Sequence, residues 1–259
     1  MADIDGDLMA DYLSPARAGS RRGSLGWARS FLFGRYGSAI LVPLRRRQYE
    51  AARTGWLSPS IIAALHRFRR ALLHNLGREM PFSLAEWRLV VTISDGEGTG
   101  SVAVGVWMPR EKEFTPLLTR ADVPPMWLSR WSRQGSRGSI ITEVEALGPL
   151  LALCTWPHIL KDALWIHFVD NEAAKFSLIK GSSLAVDTHD IVHMTWEFCM
   201  QRRLYPWWDR VSTKDNPVDQ ASRRNLKDLY SQGWQIVEPT LPHLWACDLV
   251  HSGEDQSFQ

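Results

Sequence analysis

Residues 164–169, a short run apolar on both faces and closed by Asp170-Asn171, constrain this chain more than any other segment. A strand of that kind belongs in the middle of a sheet, with other strands at both edges and cover on both sides. The rest of the chain supplies those neighbours. Residues 87–93 are β-rich and end at Ser94-Asp95-Gly96; Gly98, Gly100 and Ser101 make a turn, and residues 102–108 form a second apolar run. That unit reads as a hairpin. Residues 114–119 form a weaker third strand, and 121–139, with Pro124-Pro125 and three arginines, read as a loop. A helix over 142–156 carries Leu147, Leu150, Leu151 and Cys154 on its apolar face. Helices follow at about 171–180 and 186–203, then a strand at 207–212 and a helix from 217 to about 232. The order predicts an α/β domain with a five-stranded mixed sheet flanked by helices.

Ahead of this domain the texture differs. Residues 1–24 are polar and rich in Gly, Ser and Arg, and read as a flexible leader. Residues 25–80 hold short helical patterns interrupted by Gly34, Gly37 and Pro43. The best of these helices starts with Ser58 as N-cap and Pro59 at the first position, and stops at Gly77. The α/β domain is placed at 81–232, and 233–259 is a tail without a clear period. Charge is divided in the same way. Residues 12–80 hold 13 Arg and 2 Glu, or +11, residues 1–11 hold 4 Asp, or −4, and the remainder sums to −5, giving the net +2.

With 45% hydrophobic and 22% charged residues, wholesale disorder is excluded. Three widely spaced cysteines, Cys154, Cys199 and Cys247, form no CxxC pair. That argues against a disulfide scaffold and fits a reducing, intracellular setting, cytoplasm or nucleus. No apolar run reaches the roughly 18 residues of a membrane span, so no membrane partner is expected.

Four acids fall at element ends: Asp95 after the first strand, Glu145 in the first turn of the following helix, Asp170 after the buried strand, and Asp219 in the first turn of the last helix. Clustered carboxylates cannot all ionise without cations, and oxygen-only donors favour Mg²⁺ or Mn²⁺. These residues carry a resemblance. Ser94-Asp95-Gly96 with its glycine-rich hairpin, Ile141-Thr142-Glu143-Val144-Glu145-Ala146, Phe168-Val169-Asp170-Asn171 and residues 211–223 resemble the ribonuclease H domain of retroelement reverse transcriptases. In that family the acids run Asp, Glu, Asp, Asp, the last within Asn-Pro-x-Asp-x-x-Ser-Arg, which here is Asn216-Pro217-Val218-Asp219-Gln220-Ala221-Ser222-Arg223. Residues 33–46 and the helix after Ser58 resemble the connection that follows the polymerase in such polyproteins, while no Asp-Asp pair of a polymerase site occurs.

The resemblance implies a ribonuclease H-like fold and two-metal hydrolysis of the RNA strand of an RNA–DNA hybrid, with two Mg²⁺ or Mn²⁺ ions held by Asp95, Glu145, Asp170 and Asp219. It places the Asn171 amide near the hybrid's minor groove, and it implies a polymerase module as partner. The family's mobile His ahead of the last Asp has no counterpart between Ser212 and Val218. The alternative is a catalytically inactive module that grips nucleic acid through the basic residues 17–70. His189, His193 and Glu197 share a helix face at i, i+4, i+8; a solvated face accounts for them as well as a zinc site does. Of Trp207-Trp208, one is expected buried and the other exposed.

Overall fold

A computed structural model describes residues 2–32, 35–50, 55–73, 83, 87–134, 139–225 and 227–242. The expectations resting on Gly34, Gly77 and Cys247 lie outside these residues. Strands β1 (Arg88–Glu97), β2 (Ser101–Trp107), β3 (Leu117–Asp122), β4 (Ala163–Val169), β5 (Leu204–Arg210) and β6 (Gln235–Ile236) form one sheet in the order β5-β4-β1-β2-β3-β6. The β1-β2-β3 pairs are antiparallel; β4 runs parallel to both β1 and β5. The doubly apolar run is therefore an interior strand, as its pattern demands.

The sheet has six strands, not five. The sixth is two residues long and lies parallel to β3. Gln235 N–H donates to the Pro116 carbonyl at 2.9 Å, and Val237 N–H donates to that of Leu118 at 2.8 Å. It covers what would otherwise be an open sheet edge. Two residues are too few to show a period, so nothing in the tail announced it.

Helices follow in chain order: α1 (Ala2–Ala10), α2 (Pro15–Arg29), α3 (Leu41–Tyr49), α4 (Pro59–Leu73), α5 (Pro125–Gln134), α6 (Ile141–Thr155), α7 (Glu172–Lys180), α8 (Val186–Gln201), α9 (Asp219–Ser222) and α10 (Lys227–Ser231). The supposed loop 121–139 thus contains α5, which buries Trp127 and Trp131. The single last helix expected from 217 to about 232 is instead two short ones, α9 and α10, preceded by a 3-10 turn (Thr213–Asp215). Pro43 does not interrupt its segment. It stands third in α3, in the first turn, where a missing N–H has no intrahelical partner to lose.

Residues 2–24 are not a flexible leader. Helices α1 and α2 are packed, with Ile4, Leu13, Ala18 and Leu25 buried in the main core. Ser14 caps α2, its Oγ accepting from Arg17 N–H at 3.2 Å. Asp7 is fully buried between Arg17 Nε at 2.5 Å and Arg21 Nε at 2.6 Å, and Asp5 pairs with Arg69 of α4 at 2.7 Å. The apolar anchors are sparse enough to hide in a polar composition, and the charges that look like a solvated tail are matched across elements.

One sheet face lies under α6 and α8. The other carries a smaller core in which Ile93, Ala103 and Leu118 meet Val218, Ala221 and Leu229. This second core anchors α9 beneath the C-terminal end of β1.

Candidate metal centre

Asp95 is the eighth residue of β1, within the strand rather than after it, and is 4% exposed. Glu145 sits in the second turn of α6, not the first, and is 2% exposed. Asp170 directly follows β4, which pairs in parallel with β1, so the two strand ends emerge side by side. One carboxylate oxygen from each of the three lies within 4.8 Å of the others. Among the described residues this is the only group of three or more His, Cys, Asp or Glu side chains gathered so closely.

Small residues let α6 reach the strand. A Cβ on Gly148 would stand 2.3 Å from Ser94 Oγ, and one on Gly96 would stand 3.0 Å from the backbone N of Glu145. Helix and strand backbones therefore approach closely where Glu145 must meet Asp95. Pro149 has no N–H for the Glu145 carbonyl four residues back, which loosens the helix at that turn.

Three like charges in one buried corner disfavour ionisation. Burial pushes the Glu145 carboxyl up to about 10, with a hydrogen bond to Asp170 and the charges of Asp170 and Asp95 adding to it. Burial likewise raises Asp95, reinforced by Asp170 and Asp219 and opposed by a hydrogen bond from Ser222. Glu145 Oε2 is buried without a hydrogen-bond partner. Oxygen donors alone, one of them orphaned, fit a hard divalent cation such as Mg²⁺ or Mn²⁺.

Asp219 opens α9 but stands outside the group of three. Its Oδ1 accepts from Arg223 Nη2 at 2.9 Å. It is still close enough for its charge to act on Asp95. The rest of its motif holds the corner together. Ser222 Oγ donates to Asp95 Oδ2 at 2.5 Å and also lies 2.8 Å from the Asp219 carbonyl. Asn216 Nδ2 donates to the Ser94 carbonyl at 3.1 Å and to Asp95 Oδ1 at 3.3 Å, and its Oδ1 accepts from Val218 N–H at 3.1 Å. Thr213 Oγ1 donates to Asp170 Oδ2 at 2.9 Å. Thr213, Asn216 and Ser222 were not picked out as site residues from the sequence, although Asn216 and Ser222 were in plain view inside the motif.

Beneath the acids, β1 and β4 share a buried polar chain. Trp165 Nε1 donates to Thr92 Oγ1 at 2.7 Å, which lies 2.7 Å from His167 Nδ1, and His167 Nε2 lies 3.1 Å from Ser94 Oγ. Burial lowers His167 to about 3, so the ring is neutral and bonds as one donor and one acceptor. It ties the residue before Asp95 to the strand that ends in Asp170.

Other candidate residues fall elsewhere. Asn171 is the N-cap of α7, its Oδ1 accepting from Ala174 N–H at 2.9 Å. His189 and His193 are not on a solvated face: they are 9% and 1% exposed, packed under the N-terminal helices, with Tyr36 5.5 Å from the His193 ring. Glu197 pairs instead with Arg70 at 2.6 Å. Trp208 is buried and Trp207 is 66% exposed, as expected for that pair. Of the basic residues 17–70, Arg17, Arg21, Arg69 and Arg70 are engaged by acids, and Arg47 donates to the carbonyls of Leu13 and Trp56, which diminishes that segment as a free cationic grip. No helix among the described residues is long and apolar enough to cross a membrane.

No protein-family model and no curated protein matches the chain. Among solved structures, the N-terminal RNase H domain of a Mycobacterium tuberculosis protein, solved as a fusion with maltose-binding protein, is similar over 56% of this chain and 96% of that one, at 13% identity and a TM-score of 0.37.

Proposed function

We propose that the chain is a metal-dependent nuclease of the ribonuclease H type, cleaving the RNA strand of RNA–DNA hybrids, and that it serves as the nuclease part of a retroelement reverse transcriptase whose polymerase module lies elsewhere. The observation that carries this reading is the convergence of Asp95, Glu145 and Asp170, from three separate elements, into one buried oxygen-donor corner. The mixed sheet, with three antiparallel strands followed by parallel β4 and β5, supports it. So does the Asn216–Arg223 motif closing over Asp95.

Asp95, Glu145 and Asp170 would hold the cations, with Asp219 at their margin. Divalent cations bound there would supply an activated water and stabilisation of the leaving oxygen. The chain's own part is orientation. Ser222 and Asn216 each occupy one Asp95 oxygen, which fixes the carboxylate plane. Thr213 does the same for one oxygen of Asp170. In the cation-free chain Glu145 keeps its proton at neutral pH, so the corner tolerates its own charge. The second core excludes water from below. Discrimination of RNA from DNA would rest on the 2′-OH of the cleaved strand.

Incubating the chain with a labelled RNA–DNA hybrid and Mg²⁺ or Mn²⁺ tests the proposal. Cleavage by the wild type that disappears in Asp95→Asn is expected; equal absence of cleavage in both overturns it and leaves the non-catalytic nucleic-acid-binding module as the reading.

A further inference from the structure

We propose that Arg223 is the resident counter-cation of the carboxylate corner: in the cation-free chain it holds Asp219 apart from the other three acids, and it gives Asp219 up when divalent cations bind. This inference rests on the nuclease reading above.

Four observations carry it. Arg223 stands four residues after Asp219 across the single turn of α9, and its Nη2 meets Asp219 Oδ1 at 2.9 Å. The Asp219 side chain is 21% exposed and that of Arg223 60%, so the pair is easily broken; solvent-exposed ion pairs are weak. The neighbouring Arg224 is directed to Asp122, at 3.3 Å, which leaves Arg223 as the arginine of this turn on the acidic corner. From that position its charge reaches Asp95, where it opposes the repulsion from Asp170 and Asp219.

The fourth observation is mechanical. The backbone of α9 is held without the Asp219 side chain. Ser222 Oγ is fastened to Asp95, the Ser222 carbonyl accepts from Ser101 Oγ at 2.5 Å, and Val218 and Ala221 are buried in the second core. The Asp219 carboxylate can therefore turn about its own bonds while its helix stays in place. A guanidinium is singly charged and planar; a dication offers twice the charge to a corner where carboxylates already crowd. The ion pair and the cation compete for the same oxygen atoms, so Arg223 sets how readily the fourth acid joins.

Calorimetric titration of Mn²⁺ into the full chain tests this without reference to catalysis. Arg223→Gln is expected to bind Mn²⁺ about two- to fivefold more tightly than wild type, and Arg223→Lys, which keeps the charge, to stay near wild type. Removing a positive charge could act at long range without any ion pair, so the same comparison is made with Asp219→Asn. If Arg223 acts through Asp219, the gain from Arg223→Gln vanishes in that background. An unchanged or weaker affinity in Arg223→Gln with normal thermal unfolding overturns the proposal, as does a gain that persists with Asp219→Asn. Equal Mn²⁺ binding by wild type and Asp95→Asn is a different failure: it removes the metal-site reading itself.

Discussion

Two regions of the molecule bury charge, and they do it in opposite ways. In the N-terminal layer, Asp7 is fully enclosed, but Arg17 and Arg21 lie against its two oxygens, and Asp5 meets Arg69. Each of these acids has its opposite charge within the chain. At the C-terminal end of β1, Asp95, Glu145 and Asp170 gather with hydrogen bonds for support, while the arginines beside them, Arg223 and Arg210, pair with Asp219 and Glu172. The first arrangement is complete and needs nothing added. The second is stable only with a proton on Glu145 or a cation from outside. A matched buried pair is self-sufficient, whereas an unmatched cluster, kept in place by a dedicated set of donors, is a candidate ligand site.

The comparison can be broken from either side. The largest effect belongs to the unmatched corner. Asp95→Asn should lower hybrid cleavage by about a thousandfold or more, roughly 4 kcal/mol in the barrier. Its thermal unfolding temperature should not fall, because one like charge has been removed. A loss of activity accompanied by a large loss of stability would mean that the residue is structural. In the matched layer the pattern reverses. Asp7→Ala should destabilise the fold by about 3 kcal/mol, since it removes the buried partner of Arg21 and leaves it only the exposed Asp3, with little effect on cation affinity. Asp5→Ala, which breaks a half-exposed pair, should cost about 1 kcal/mol or less. Denaturant unfolding separates the two.

Acidity sharpens the contrast. Burial lowers His167 to about 3 and His189 to about 4, and it lowers His193 as well, with Arg67, His189 and Arg70 adding to the effect. All three are held neutral when folded and charge when unfolded. The unfolded state therefore binds more protons below the ordinary histidine value near 6.5, and stability falls as pH drops below it. Relative to pH 7, His167 and His189 should each cost about 2 kcal/mol at pH 5, and His193 acts in the same direction. Glu145, raised to about 10, works in the other direction: the folded chain holds its proton where the unfolded chain has lost it, so its share rises as pH falls towards the ordinary carboxylate range. Unfolding free energy measured from pH 7 to 5 should decline, and more steeply in Glu145→Gln. An unchanged stability of Glu145→Gln over that range would show that the histidines are solvated. At the corner itself the mildest effect is expected from Ser222→Ala. Losing its bond to Asp95 should cost about 1 kcal/mol of stability and reduce cleavage about tenfold, since the carboxylate is still held by Asn216.

Much of the α/β domain could be read in advance because its elements are long and regular. The interior strand, read at 164–169, and the helix, read at 142–156, lie within one residue of Ala163–Val169 and Ile141–Thr155, and the hairpin falls where its glycine turn puts it, although β1 runs on to Glu97, four residues past its expected end. Most of the elements that escaped notice lack such repetition; α5 is the exception, its Trp127 and Trp131 one turn apart but set among arginines behind Pro124-Pro125. Strand β6 has two residues, α9 has four, and α1 and α2 expose so much Arg, Asp, Ser and Gly that their buried Ile4, Leu13, Ala18 and Leu25 form no stripe. The same limit applies to the site. The four acids could be named because each sits at the end of a periodic element or inside a specific motif. That Asn216 and Ser222 serve Asp95, or that Thr213 serves Asp170, could not, because those contacts span more than 40 residues in the chain.

Sequence alone therefore determined the order of the main strands and helices, the interior position of the strand that ends before Asp170, and the identity and order of four acids, since these are local patterns written in side-chain polarity. Tertiary structure alone decided that three of the four share one corner, that the fourth is held by Arg223, and that the polar N-terminus is folded. These outcomes depend on which backbones can approach closely and which charges meet across the fold. Gly148 against Ser94 and Asp7 between Arg17 and Arg21 are facts of packing, and no local period encodes them.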